Sequence, residues 1–125
     1  MALTKWDSRF LEVARLAAGW SKDPNAGVGA VVVDAQGQIA GVGYNGFPKR
    51  VEDSAERYND QDVKLEMVVH AEENAIIGAG VRNRDATIYV AGKPICARCA
   101  GAIIQAGINY LVGLMQIRAG KIGPY

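Results

Sequence analysis

Thr87-Ile88-Tyr89-Val90-Ala91, then Ala97-Arg98-Cys99-Ala100-Gly101-Ala102-Ile103-Ile104-Gln105-Ala106, then Tyr110-Leu111-Val112-Gly113-Leu114-Met115, is the stretch that decides the fold. Its first and last pieces are short and rich in β-branched or aromatic residues, so they read as strands. The middle piece reads as a helix, stopped by Gly107. A strand, a helix and a strand in that order make a right-handed parallel crossover. Upstream, Val28 to Val33 is an almost continuous apolar run, the mark of a strand buried on both faces. Asp34 to Gly37 is a turn, and Ile39 to Tyr44 a second strand, so these two form a hairpin. Antiparallel and parallel neighbours in one sheet predict an α/β fold, with a mixed central sheet covered by helices on both faces.

Two more helices supply that cover. Thr4 with Asp7 makes a capping box, followed by Trp6, Phe10, Val13, Ala14 and Ala17 at helical spacing and ended by Gly19. A second helix runs from Ala71 to Ala79, with Gly80 as its stop. Ser21 to Gly27 is a loop containing Pro24 and Asn25. Asn45 to Glu66 is polar and charged and reads as a long loop with at most a helical turn. A stretch of that length in a compact domain is usually functional or mobile. The tail from Gln116 to Tyr125 contains Gly120, Gly123 and Pro124 and reads as loosely ordered.

Composition sets the outer bounds. The 125 residues (13.3 kDa) suit one domain spanning 1–125, and 50% apolar with 22% charged residues is the balance of a soluble globular protein. No apolar window reaches the roughly 18 residues of a bilayer span. A formal charge of +1 leaves no basic field for a long nucleic acid. Lys5, Asp7 and Arg9 interrupt any signal-peptide core, so a cytoplasmic location is expected.

The chain has two cysteines, Cys96 and Cys99, and one histidine, His70. Two cysteines are too few for a disulfide scaffold, and a bridge across two residues closes too short a loop to stabilise much. His70-Ala71-Glu72 opens one helix and Cys96-Ala97-Arg98-Cys99 opens the next. A structural zinc is closed by four thiolate or imidazole ligands, and only three such side chains exist here. That arithmetic favours a catalytic zinc with one position left for water. Helix N-termini carry positive partial charge, which favours both thiolates. Zinc lowers the pKa of a bound water toward about 7, and Glu72 is then the natural proton carrier. Residues two apart on an ideal helix do not face each other. His70 and Glu72 therefore converge only if His70 precedes the first regular turn. Two plainer readings stand beside this one: a Cys-x-x-Cys redox pair, and a histidine buried for packing alone.

The joint pattern His-x-Glu followed by Cys-x-x-Cys resembles the zinc-dependent cytidine and deoxycytidylate deaminase superfamily. Further blocks carry the resemblance from about Trp20 to Met115. They are Ser21-Lys22-Asp23-Pro24-Asn25 with Val28-Gly29-Ala30, then Gly43-Tyr44-Asn45-Gly46-Phe47-Pro48, then His70-Ala71-Glu72-Glu73-Asn74-Ala75-Ile76, then Ile103-Ile104-Gln105-Ala106-Gly107-Ile108. The second block is closest to the deoxycytidylate branch. Three departures stand out: Ile95 separates Pro94 from Cys96, no Cys or His is spare for a second zinc, and the chain ends soon after Met115.

The resemblance implies a three-layer αβα cytidine-deaminase-like fold and the hydrolysis of dCMP to dUMP and ammonia. It implies that His70, Cys96 and Cys99 hold zinc, that Glu72 moves protons, that Asn45 hydrogen-bonds the sugar, and that the backbone at Ala71 helps read the base. Ser21 and Lys22 are the expected phosphate clasp, with Lys49 and Arg50 as runners-up. Gly43 and Gly46, flanking Asn45, suit a nucleotide pressed against the main chain, although strand glycines also allow bulges and close backbone approach. Relatives of this branch are homo-oligomers, often hexamers, with dCTP as activator and dTTP with Mg2+ as inhibitor. Lys49 to Glu66 is a candidate effector loop. The rival substrates are another cytosine nucleoside or nucleotide, or a modified dCMP. The rival class is a non-catalytic zinc or redox module.

Overall fold

The structure is a computed structural model that describes residues 3–24 and 27–113. Among them, β1 (Gly29–Val33), β2 (Ile39–Tyr44), β3 (Thr87–Ala91) and β4 (Tyr110–Val112) form one sheet in the order β2-β1-β3-β4. β1 runs antiparallel to β2 and β3, while β3 and β4 are parallel across α5 (Ala97–Gln105). The mixed sheet and its parallel crossover are therefore as the sequence predicts.

The strand period of two divides the sheet into two cores. Ala30 and Val32 of β1 join Ile88 and Val90 of β3 beneath α4 (Ala71–Ala79) and α5. Val31, Val33 and Tyr89 face the other way, onto Ala14 of α1 (Lys5–Ala18). Every residue of β1 is buried, which is why its sequence shows no polar alternation. The capping box is present: the Thr4 hydroxyl accepts the Asp7 N–H at 3.1 Å, and the Asp7 carboxylate accepts the Thr4 N–H at 3.0 Å. Asp7 also accepts the Tyr89 hydroxyl at 2.8 Å, which ties the start of α1 to β3.

Residues 45–66, expected as a long loop with room for a helical turn, contain the short α2 (Ala55–Asn59) and, beyond that expectation, run into a further helix, α3 (Gln61–Met67). Local caps build both. The Ser54 hydroxyl accepts the Arg57 N–H at 3.1 Å, and the Asp60 carboxylate accepts the N–H groups of Asp62 and Val63 at 3.1 and 3.2 Å. Tyr58 is buried against Phe47, their ring centroids 4.5 Å apart, and this anchors α2 to the segment after β2. Helices of five and seven residues are too short to display a helical period, so the sequence pattern misses them. The last strand ends at Val112. Gly113, also expected in this strand, follows it as a bend, and Leu114, Met115 and the tail lie outside the described residues.

The strand glycines Gly41 and Gly43 have a structural reason. A Cβ on Gly43 would strike the Ala71 carbonyl and lie 2.6 Å from the Ala75 nitrogen, and one on Gly41 would strike the Ala75 carbonyl. α4 thus rests directly on the backbone of β2. Asn74 strengthens the seat by donating from Nδ2 to the Tyr44 carbonyl at 2.9 Å. Gly43→Ala should therefore lower stability by about 1–3 kcal/mol, the usual range for overpacking. It should also lower zinc occupancy, because the displaced turn carries His70. Gly101→Ala is the control: that helical glycine has open space around it and should gain roughly 0.5–1 kcal/mol. Thermal unfolding of both variants checks the pair, and equal midpoints would refute the close seat.

Candidate active site

α4 and α5 begin side by side. His70 is the N-cap of α4, with extended backbone (φ −74°, ψ 154°), and Cys96 is the N-cap of α5 (φ −81°, ψ 167°). An extended cap residue does not follow the helical turn of its successors. This is how His70 and Glu72 come to line the same cavity although they are two residues apart. His70 Nδ1 lies 3.1 Å from Cys99 Sγ and 3.5 Å from Cys96 Sγ, and all three atoms fall within 4.8 Å of one another. A tetrahedral zinc with bonds of about 2.1 Å to nitrogen and about 2.3 Å to sulfur separates its ligands by roughly 3.5–3.8 Å. One imidazole nitrogen and two sulfurs gathered this closely need only sub-ångström shifts to share that ion, and three protein ligands leave a fourth corner. The plain packing role for His70 does not account for a ring nitrogen set against both sulfurs.

The cavity has a volume of about 350 Å3, and His70, Glu72 and Cys96 line it together with Asp23, Asn45, Lys64, Ala71, Lys93 and Pro94. Glu72 is only 4% exposed, and burial pushes its carboxyl above the ordinary carboxylate value. Burial also pushes the Cys99 thiol up, and the neighbouring Glu72 charge pushes it further the same way. The expectation that the helix end favours the thiolate does not hold for Cys99 in the metal-free chain. Full burial outweighs the partial charge of the helix end, so a cation must displace the proton.

The expected substrate contacts divide into two groups. Asn45 and Ala71 line the cavity. Asn45 is firmly oriented: its Oδ1 accepts the Val28 N–H at 2.8 Å, and its Nδ2 donates to Asp23 Oδ2 at 3.4 Å. Ser21 and Lys22 do not line the cavity. The Ser21 hydroxyl donates to the Asn45 carbonyl at 2.8 Å, so it supports the loop rather than a ligand. The Lys22 side chain is 71% exposed and lies 3.8 Å from the Asp53 carboxylate. Lys49 and Arg50 are exposed and do not line the cavity either.

Among the described residues, the cations that line the cavity are Lys64 and Lys93, and the sequence reading missed both. Lys64 is paired with Asp23 at 3.0 Å, with the two side chains 12% and 4% exposed. No local pattern announces Lys64, which α3 carries to Asp23 from 41 residues away. Lys93 had a usable signal, since it stands three residues before Cys96. Ile95, the departure before Cys96, is fully buried in the core under α5, while Pro94 faces the cavity. The additional residue therefore turns inward and anchors the turn that presents Cys96.

Residues 4–115 match the family described as the cytidine and deoxycytidylate deaminase zinc-binding region, and the chain belongs to that family. It is 42% identical over 107 residues to an uncharacterized deaminase from the luxG 3′ region of Aliivibrio fischeri, a match covering 86% of this chain and 71% of the relative. It is 40% identical over 114 residues to the deoxycytidylate deaminase of Homo sapiens, covering 86% of this chain and 64% of that one. The chain thus spans somewhat less than two thirds of the human enzyme. The crystal structure of dCMP deaminase from the cyanophage S-TIM5 superposes with a TM-score of 0.72 at 23% identity, covering 88% of this chain and 82% of that one, a likeness of fold. Zinc is the metal of the matched family, and the His70, Cys96 and Cys99 donor set suits it. No helix among the described residues is long and apolar enough to cross a membrane.

Proposed function

We propose that this chain hydrolyses the 4-amino group of dCMP, giving dUMP and ammonia. The observation that carries the reading is one cavity lined by His70 and Cys96 of a three-residue metal set whose third member, Cys99, is buried beside them, together with the buried carboxyl of Glu72 and two lysines. The 40% identity to a deoxycytidylate deaminase supports the choice of substrate. His70, Cys96 and Cys99 hold the zinc, which supplies the Lewis acidity that lowers the pKa of water toward about 7. Glu72 takes the proton of the attacking water and passes it to ring N3. It passes the second proton to the departing amine, so that water and dCMP leave as dUMP and ammonia. Asn45, held by Val28 and Asp23, faces the sugar, and the Ala71 backbone faces the base.

The 5′-phosphate falls to Lys93. Lys64 lines the same cavity, but its charge is already matched by Asp23. Lys93→Glu should raise KM for dCMP at least tenfold while leaving KM for deoxycytidine nearly unchanged, since like-charge juxtaposition costs more than about 1.4 kcal/mol at such a contact. Equal effects on both substrates reject the assignment.

Ammonia release from dCMP, CMP, deoxycytidine, dCTP and cytosine-containing oligonucleotides tests the whole reading, and a preference for any substrate but dCMP overturns it. The same assay with dCTP, and with dTTP and Mg2+, tests the effector control that the resemblance implies, and the mass of the assembly in solution tests the expected homo-oligomer. The chemistry belongs with a cytoplasmic nucleotide pool.

A further inference from the structure

The proposed zinc ligands stand on two helices, so their mutual placement depends on what ties the two helix starts together. Apart from the ligand side chains themselves, a salt bridge among the described residues spans them. Glu73 Oε1 accepts the His70 N–H at 2.9 Å and Arg98 Nη2 at 2.6 Å, and Glu73 Oε2 accepts Arg98 Nε at 3.1 Å. Arg98 lies between Cys96 and Cys99 in the chain. A single carboxylate therefore holds the backbone of one metal ligand and the guanidinium flanked by the other two.

The Glu73 contact with His70 alone would be an ordinary capping arrangement. Arg98 is not needed for that, and its two-point grip fixes orientation as well as distance. The Glu73 and Arg98 side chains are 23% and 53% exposed. A pair so open to water contributes little to global stability. Groups that orient metal ligands matter much more to metal affinity, because they restrict the ligand geometry.

We propose that the Glu73–Arg98 bridge is a positioning unit that keeps His70 in register with Cys96 and Cys99, and so sets the tightness and geometry of metal binding. It rests on the reading of those three residues as the zinc ligands. The pair takes no part in proton transfer and does not line the cavity.

The test compares zinc release to a competing chelator, and the absorption spectrum of the cobalt(II)-substituted protein, across a small set of variants. These are Glu73→Gln, Arg98→Met, Arg98→Lys and the double variant Glu73→Gln with Arg98→Met. Arg82→Met is the control, because Arg82 grips Asp34 with two nitrogens, at 3.0 and 2.6 Å, without lining the cavity. Glu73→Gln and Arg98→Met should each weaken zinc binding by about 10–100-fold and shift the cobalt bands. Arg98→Lys should fall with Arg98→Met, since it keeps the charge and loses the fork. The double variant should be no worse than the poorer single one, as expected for two groups acting as a unit. Arg82→Met should leave binding unchanged.

Unchanged zinc release and cobalt spectra in Arg98→Met overturn the proposal. So does a lysine variant that behaves as wild type, or a fall in metal-free thermal stability that accounts for the weaker binding. A wild-type protein that takes up no zinc would instead overturn the ligand assignment, which keeps the two failures apart.

Discussion

Replacing Glu72 with glutamine should leave zinc bound and lower ammonia release from dCMP by about 10²–10⁴-fold, the usual worth of a positioned proton carrier. At 4% exposure the carboxyl is largely desolvated, and its proton affinity rises above that of a surface glutamate. A stronger base is better matched to taking a proton from water near neutral pH. Glutamine keeps the volume and the polar contacts but cannot accept and return a proton. The substitution therefore separates chemistry from packing, which Glu72→Ala does less cleanly. Metal analysis and turnover must be read together. Full turnover with bound zinc removes Glu72 from the mechanism. Zinc lost in parallel with turnover would make Glu72 a support of the metal rather than a proton carrier.

Replacing Cys99 with alanine should abolish both stoichiometric zinc and turnover. Cys99 is fully buried in the first turn of α5, and its sulfur is 3.1 Å from His70 Nδ1. Without it, His70 and Cys96 are two ligands where a catalytic zinc needs three from the protein. The same residue predicts a pH dependence. Burial and the Glu72 charge keep the Cys99 thiol protonated well above its ordinary range, so zinc enters by expelling that proton. Apparent zinc affinity should rise by about tenfold per pH unit for each proton released and fall correspondingly in acid. For the metal-free protein the raised thiol has a defined sign as well. The fold binds the proton more tightly than the unfolded chain does. That contribution to stability is complete below the ordinary value of 9.0 and is lost as the pH rises above it. Chelator competition at stepped pH, with denaturation of the metal-free protein alongside, measures both. A pH-independent zinc affinity would contradict the protonated thiol.

Much of this was legible one-dimensionally because the information is local. The Thr4 capping box, the unbroken apolar run of β1 and the glycines closing α4 and α5 each act within a few residues of themselves. The His-x-Glu and Cys-x-x-Cys spacings are equally local, and each places its residues at a helix start. The convergence of His70 with Glu72 followed from a geometric condition, that His70 precede the first regular turn, and the structure meets it.

What the sequence hid was non-local or too short to show a period. α2 and α3 depend on the caps at Ser54 and Asp60 and on Tyr58 settling against Phe47. Gly43 could be read as room for a ligand, but the close seat of α4 on Gly41 and Gly43 shows only in three dimensions. Lys22, which looked like a phosphate ligand by its neighbourhood in the chain, points outward toward Asp53, whereas Lys64 arrives from far along the chain to pair with Asp23.

The sequence by itself determined the candidate donor set, the candidate proton carrier and the alternation of strands and helices, since residue types, chain spacing and motif resemblance suffice to single those out. Only the tertiary structure decided which lysines face the cavity, what the strand glycines accommodate, and that one carboxylate grips both ligand-bearing helix starts. Those outcomes depend on distances between segments that are remote in the chain, and packing alone sets such distances.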